Sequence, residues 1–367
     1  MPKAAVCSGL NEPLVITELD LEAPRSGEVS VRMGASGVCH SDRSVQNGTL
    51  LGAFPIVLGH EGAGVVEALG ANVADLEVGD HVAVSWVPQC GACFFCRRDQ
   101  RHLCEAGNLP MATGGLLDGT TRFSLDGNPV RQLACSGTFS EESVIPAIAL
   151  VKIPEDIPLP VAALLGCGVL TGVGAALNTA TIRVGDTVAV LGCGGVGLNV
   201  IQGSRIARAG RIIAVDTVAA KLAMARDFGA TDIVDASRGD PVSAVMALTR
   251  QRGADVAFEV IGLRSTIDQA ITMTRRGGEA VLVGVPRMDV LVEVAAFFGL
   301  VLASKTVKGC WYGSSDVRRD LPELIEHYRH GRLELDRLVT RTIGLDAVNE
   351  AFAAMEAGEV ARSVIEY

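Results

Sequence analysis

Thr187-Val-Ala-Val-Leu191 leads into Gly192-Cys193-Gly194-Gly195-Val196-Gly197, a helix-like run continues through Ala209, and Arg211-Ile-Ile-Ala-Val ends in Asp216. The glycines are spaced G-x-G-x-x-G between a strand-like and a helix-like run, the context that distinguishes a dinucleotide-binding turn from an ordinary glycine-rich loop. The first glycine permits a tight turn, the second keeps a Cβ out of the way of a pyrophosphate, and the third lets the helix lie close to its strand. The helix then directs free N–H groups at the phosphates. Asp216 closes the second strand about twenty residues on, where a carboxylate accepts hydrogen bonds from ribose hydroxyls and repels a 2′-phosphate. NAD is therefore expected over NADP.

Downstream, strand-like and helix-like patterns alternate over 211–216, 219–228, 232–234, 241–249, 256–260, 265–273 and 280–283. Such alternation predicts a parallel sheet covered by helices on both faces, a Rossmann-type α/β fold. Upstream, residues 1–147 hold short β-like segments at 3–7, 28–33, 64–68 and 81–85, separated by turn signals such as Gly27-Glu28 and Gly79-Asp80. That punctuation predicts a mostly antiparallel, barrel-like β domain. At 367 residues, two domains are the natural division. The run Leu291 to Leu302 is apolar almost throughout and reads as a buried or subunit-interface segment.

Charged residues make up 20% of the chain, the net charge is −10 and there is no basic run. These features argue against a nucleic-acid or anionic-membrane partner. With no charged-then-apolar leader and no uninterrupted apolar run approaching about eighteen residues, a cytoplasmic protein that does not span a membrane is expected. In a reducing compartment the ten cysteines point to metal or catalytic thiolates rather than disulfides.

Cys90, Cys93, Cys96 and Cys104 are spaced C-x2-C-x2-C-x7-C. Four thiolates close a tetrahedral shell with no open position, the pattern of a structural zinc. An iron–sulfur cluster uses the same ligands, and a nucleic-acid zinc ribbon is the other rival. Elsewhere Cys39 in Gly37-Val-Cys39-His40-Ser41-Asp42, His60 in Gly59-His60-Glu61-Gly62, and Cys167 in Gly166-Cys167-Gly168 offer a Cys–His–Cys set. Three such ligands with a fourth position left to water is the arrangement of catalytic zinc. Read singly, each residue is equally a buried cysteine or a hydrogen-bonded histidine.

Together these motifs, in this order and across essentially the whole chain, resemble the zinc-dependent medium-chain alcohol dehydrogenases, of the dimeric type. The resemblance implies a discontinuous, mostly β, GroES-like catalytic domain over 1–169 and 312–367, an NAD-binding Rossmann domain over 170–311, and an active site in the cleft between them. It implies that Cys39, His60 and Cys167 bind catalytic zinc, with Asp42 and Glu61 as carboxylates beside the ligands and Ser41 receiving the substrate proton. It places His40, Arg362, Lys221 and Val285 at the cofactor, and Trp86, Leu50 and Leu133 at the substrate pocket. Two zinc ions, NAD and a homodimer follow.

The chain departs from the family pattern at three positions. Ser44 stands where a histidine relays the proton outward, and Leu50 and Asn108 replace an acid and an arginine of the glutathione-dependent formaldehyde dehydrogenases. The apolar lining and those two losses favour an NAD-dependent dehydrogenase of an apolar aliphatic or aromatic alcohol. The rivals are a formaldehyde dehydrogenase acting on an adduct of some other thiol, and a non-catalytic NAD-binding redox sensor.

Overall fold

The computed structural model describes residues 1–367. The chain forms two compact units, one of Met1–Cys167, Asp316–Gly331 and Leu335–Tyr367, the other of Gly168–Ser315 and Arg332–Glu334. The divisions fall two residues before and four residues after the expected ones. Arg332–Glu334 return to the second unit because Arg205 donates to the Arg332 carbonyl at 2.8 Å and the Glu334 amide to Gln202 Oε1 at 2.7 Å.

In the second unit six parallel strands lie in the order Asp232–Asp235, Arg211–Asp216, Thr187–Leu191, Ala254–Glu259, Thr274–Leu282, Thr306–Gly309. Numbered along the chain this is 3-2-1-4-5-6, whose order reverses beside the first strand, where dinucleotides bind. The central strands are buried on both faces and read as continuous apolar runs such as Val188-Ala-Val-Leu191, while the edge strand Thr306–Gly309 is largely exposed. The helix Gly195–Ile206 starts inside the glycine motif and buries Leu198, Val200 and Ile201. Pro241–Leu248 begins at Asp240, whose carboxylate accepts from the Ser243 amide at 3.0 Å, with proline at the first helical position.

The first unit holds two largely antiparallel sheets. The larger runs Leu150–Lys152, His81–Val84, Glu61–Leu69, Glu28–Gly37, Arg362–Glu366, Val339–Ile343, with Glu142–Pro146 also paired to Glu28–Gly37. Its C-terminal strands explain why the unit is discontinuous. The larger sheet packs one core around Val29, Val31, Met33, Val82 and Val84, and the other sheet contributes to a second around Val6, Val57 and Phe123.

Two expectations need correction. Residues Leu159–Thr179 form a helix long and apolar enough to cross a membrane by length and composition. Glycines and Thr171 interrupt it, so no continuous apolar run marks it in the sequence. Its most apolar window is 83% buried within the protein, as in a core helix. Of the two readings of the run from Leu291 to Leu302, burial within its own chain does not hold, since Leu291 and Phe298 are 76% and 73% exposed. The run precedes Thr306–Gly309 at the sheet edge, where no further strand of this chain covers it.

Candidate active site and metal centres

Sheet register assembles the catalytic donors. Glu28–Gly37 and Glu61–Leu69 pair antiparallel with Gly37 opposite Glu61. Cys39, two residues beyond one strand, and His60, one residue before the other, are thus neighbours. Gly37 also faces Val364, which brings Arg362 to the same corner. No larger residue fits at Gly37, where a Cβ would lie 2.2 Å from a Glu61 carboxylate oxygen. At Gly166 a Cβ would lie 2.0 Å from the Val84 carbonyl oxygen, so this glycine lets the segment carrying Cys167 approach the sheet.

Cys39 is also the N-cap of helix His40–Gln46, with Asp42 completing a capping box. Buried Asp42 accepts from the Cys39 amide at 3.2 Å, the Gly59 amide at 2.9 Å and His60 Nδ1 at 3.0 Å. One carboxylate thereby fixes both ligands and the imidazole tautomer. His60 Nε2 is left buried with no hydrogen-bond partner, as a metal-ligating nitrogen requires. The ligand atoms of Cys39, His60, Cys167 and Glu61 all lie within 4.8 Å of one another.

The electrostatics of this set call for a cation. Hydrogen bonding with Cys167 is the largest influence holding the Cys39 thiol well below its ordinary range, and the same contact drives Cys167 well above it. Burial opposes a charged His60, but the Asp42 carboxylate and Cys39 thiolate outweigh it and raise the imidazole well above its usual range. A bound dication reverses both tendencies, since it takes deprotonated thiols and a neutral imidazole. The donor set thus fits zinc with one position open.

Glu61 lies beside the ligands as expected. It makes no hydrogen bond to His60; neither carboxylate oxygen has a hydrogen-bond partner, and the group is itself a potential fourth donor. Burial pushes it up to about 7, with Arg362 pulling the other way. Arg362, 5% exposed, sits with Nη2 3.3 Å from Glu61 Oε1. Sequence reasoning missed this pairing; the signal was Gly37, whose missing side chain makes the room. Ser41 is half-buried in the first turn of the helix, beside exposed His40.

The second cluster, Cys90, Cys93, Cys96 and Cys104, also lies within 4.8 Å. Short 3-10 turns wrap it, and the amides of Cys90 and Cys96 point at the sulfurs of Cys104 and Cys93 at 3.3 and 3.5 Å. Burial opposes ionisation of Cys93, yet amide hydrogen bonds from Cys96 and Glu105 bring it down to about 6; burial and the neighbouring sulfurs push Cys96 up to about 12. Four sulfurs leave no vacant coordination position, so a zinc here holds the loop together.

In the second unit each glycine meets its task. Gly192 has φ +98° and no room for a Cβ beside Ile261; at Gly197 a Cβ would be 1.8 Å from the Gly192 carbonyl oxygen; at Gly194 it would point into open space, where a phosphate can approach. Gly195 is buried and Val196 half-buried in the first helical turn. Asp216 accepts from the Cys193 amide at 2.8 Å and the Val218 amide at 2.9 Å, which fixes its carboxylate beside the turn. Lys221 follows in the first turn of Ala219–Asp227, and Val285 is 44% exposed.

Trp86 lies edge-on to His60, ring centroids 6.4 Å apart and planes at 84°. Leu50 and Leu133 pack against the core cluster containing Val45, Val57 and Phe139. Their apolar character serves that core, which weakens any inference from them to an apolar substrate.

Comparison with known proteins places the chain in a family. The zinc-binding dehydrogenase family model matches residues 195–329, and the alcohol dehydrogenase GroES-like domain model matches 25–155. The chain is 41% identical to the S-(hydroxymethyl)glutathione dehydrogenase of Haemophilus influenzae over all of this chain and 97% of that one. This chain belongs to the zinc-dependent medium-chain alcohol dehydrogenases. Among solved structures, the dehydrogenase resembles an alcohol dehydrogenase zinc-binding domain protein from Burkholderia ambifaria (34% identity, TM-score 0.94, covering 100% and 98% of the two chains). It also resembles the benzyl alcohol dehydrogenase of Acinetobacter calcoaceticus (29%, TM-score 0.93, 100% and 99%). The full-length relationship to S-(hydroxymethyl)glutathione dehydrogenases overturns the expectation of a simple apolar alcohol as substrate. It favours the thiol-adduct rival instead.

Proposed function

We propose that this dehydrogenase oxidises the S-hydroxymethyl adduct formed by formaldehyde and a cellular thiol, using NAD. The reaction R–S–CH2OH + NAD⁺ → R–S–CHO + NADH + H⁺ balances, with the carbon losing a hydride and the hydroxyl a proton. The observation that carries the reading is the identity of about two residues in five, over the full chain, with enzymes named for such an adduct.

When bound, zinc held by Cys39, His60 and Cys167 supplies Lewis acidity toward the substrate hydroxyl. The remaining work belongs to the chain. Asp42 holds His60 and the Cys39 amide in place. Ser41 receives the hydroxyl proton, and Ser44, one turn on along the same helix face, passes it toward water in place of the family's histidine. Arg362 keeps positive charge beside Glu61. In the second unit the glycine turn and Gly195–Ile206 bind pyrophosphate, while Asp216 favours NAD over NADP.

Leu50 and Asn108 lack the charge of their counterparts, so a thiol less anionic than glutathione is the preferred half of the adduct. A cytoplasmic homodimer completes the proposal, supported by ten free thiols and by the exposed apolar run that includes Phe297 and Phe298. Absorbance at 340 nm with NAD and formaldehyde tests it, with and without glutathione or an uncharged thiol. Turnover should require a thiol. Equal turnover without one, or turnover of simple alcohols alone, overturns the reading.

A further inference from the structure

The second unit has a cavity of about 460 Å³ that no step above uses, lined by Gly185, Thr187, Arg211, Arg250, Arg252 and Arg275 with Asp255 among them. It lies where the parallel strands begin. Thr187 opens the strand that Gly192 ends, so at about 3.3 Å per residue the cavity is some 15 Å from the dinucleotide turn. Its size falls within the roughly 300–1,000 Å³ range of small-molecule sites.

Its charge is unusual in a chain of net charge −10. Four arginines and one aspartate line it. Two of the arginines are engaged: Arg211 pairs with Asp232 at 3.3 Å and donates to the Leu248 carbonyl, and Arg275 pairs with Asp255 at 2.5 Å. Asp255 also accepts from the Thr187 amide at 2.7 Å, so both its oxygens are occupied. Arg250 and Arg252 are exposed and belong to no ion pair.

Helix capping is the simplest alternative, since cations favour the carbonyl end of a helix such as Pro241–Leu248. Arg211 already fills that role through Leu248. Arg250 and Gln251 both adopt left-handed backbone conformations, at φ +54° and +62°. There glycine or asparagine would cost less. The turn is nonetheless well held: Gln251 donates to the Met246 carbonyl at 2.7 Å, Arg252 to the Thr249 carbonyl at 3.2 Å, and the Gly253 amide to Thr249 Oγ1 at 2.9 Å. A well-held turn thus places Arg250 and Arg252, whose guanidinium groups belong to no ion pair, on the cavity wall.

We propose that this cavity binds a small diphosphate-bearing anion at a site separate from the dinucleotide turn. Guanidinium groups match phosphate oxygens in paired, fork-like hydrogen bonds, and two free ones suit two phosphate groups. The site does not depend on which alcohol or adduct the enzyme oxidises. The test is calorimetric titration of the zinc-loaded, NAD-saturated protein with pyrophosphate, zinc content being checked afterwards. Saturating NAD keeps the glycine turn occupied. We expect one binding event per chain, weakened at least tenfold in Arg250→Gln/Arg252→Gln, with dehydrogenase turnover unchanged. A parallel titration with ADP separates the sources: tighter binding identifies a nucleoside diphosphate, and equal binding a bare diphosphate. No binding, undiminished binding in the double variant, or the same signal from potassium chloride at matched ionic strength overturns the proposal.

Discussion

Cys90, Cys93, Cys96 and Cys104 share their ligand chemistry with Cys39, His60 and Cys167, and both sets lie in the first unit, yet they are assembled differently. The first set comes from one short stretch wound into 3-10 turns. The second comes from a strand end, a strand start and a helix far along the chain, brought together by the pairing of Gly37 with Glu61. A local, closed shell needs only its loop and stabilises that loop. A shell built on sheet register is held rigidly by the core, and can leave one position open for chemistry.

The sharpest way to break this contrast is to remove a ligand from the open set. Cys39→Ser or His60→Ala should lower turnover by about 10³-fold or more, since the position that polarises substrate is lost. The protein should stay folded, bind NAD and retain one zinc per chain. Activity at 340 nm with metal analysis checks this, and loss of both metals in either variant would contradict separate roles.

The converse change, Cys96→Ser, should release the other zinc. Because the metal's binding free energy is folding free energy for such a loop, we expect several kcal/mol of local stability to be lost. Proteolysis within 90–107 and a lowered Tm should report it, with kcat for the surviving fraction little altered. A variant with full stability but no turnover would exchange the roles of the two clusters.

These outcomes bear on what was legible in the sequence. The closed lobe was readable because its ligands are contiguous and spacing alone defines the shell. The Rossmann-type fold was readable because period and glycine chemistry are local properties of 187–216. The open site required the family resemblance, since nothing local ties residue 39 to residue 167. Glu61 beside Arg362 could not be read because it depends on which strands pair and in what register. The exposure of Phe297 and Phe298 was illegible for a related reason: an apolar run looks the same whether its own chain or another covers it.

Between ligand loss and no effect lies the positioning carboxylate. Asp42→Asn keeps the size but weakens acceptance from His60 Nδ1 and the Cys39 and Gly59 amides. A loss of about 10–100-fold in zinc affinity or activity is expected, the usual cost of removing a partner that orients a ligand. The closed lobe should keep its metal. If competition with a chelator showed both zinc ions released together, Asp42 would be acting through global stability instead.

The smallest expected effect concerns Trp86, and it separates two uses of one side chain. Its ring meets His60 edge-on at 6.4 Å, a geometry that contributes roughly 0.5–1.5 kcal/mol between aromatic rings. If that contact mainly holds the imidazole, Trp86→Ala should weaken zinc retention up to about tenfold and lower kcat for every substrate alike. If the indole instead walls the substrate's path, zinc should be retained and the change should appear as a shift in kcat/KM between thiol adducts of different bulk. The half-buried position of Trp86 and the edge-on packing favour the first use. A uniform loss across small and bulky adducts, accompanied by faster zinc release to a chelator, is therefore the expected result. A selective gain for the bulkier adduct with zinc release unchanged would assign Trp86 to the substrate.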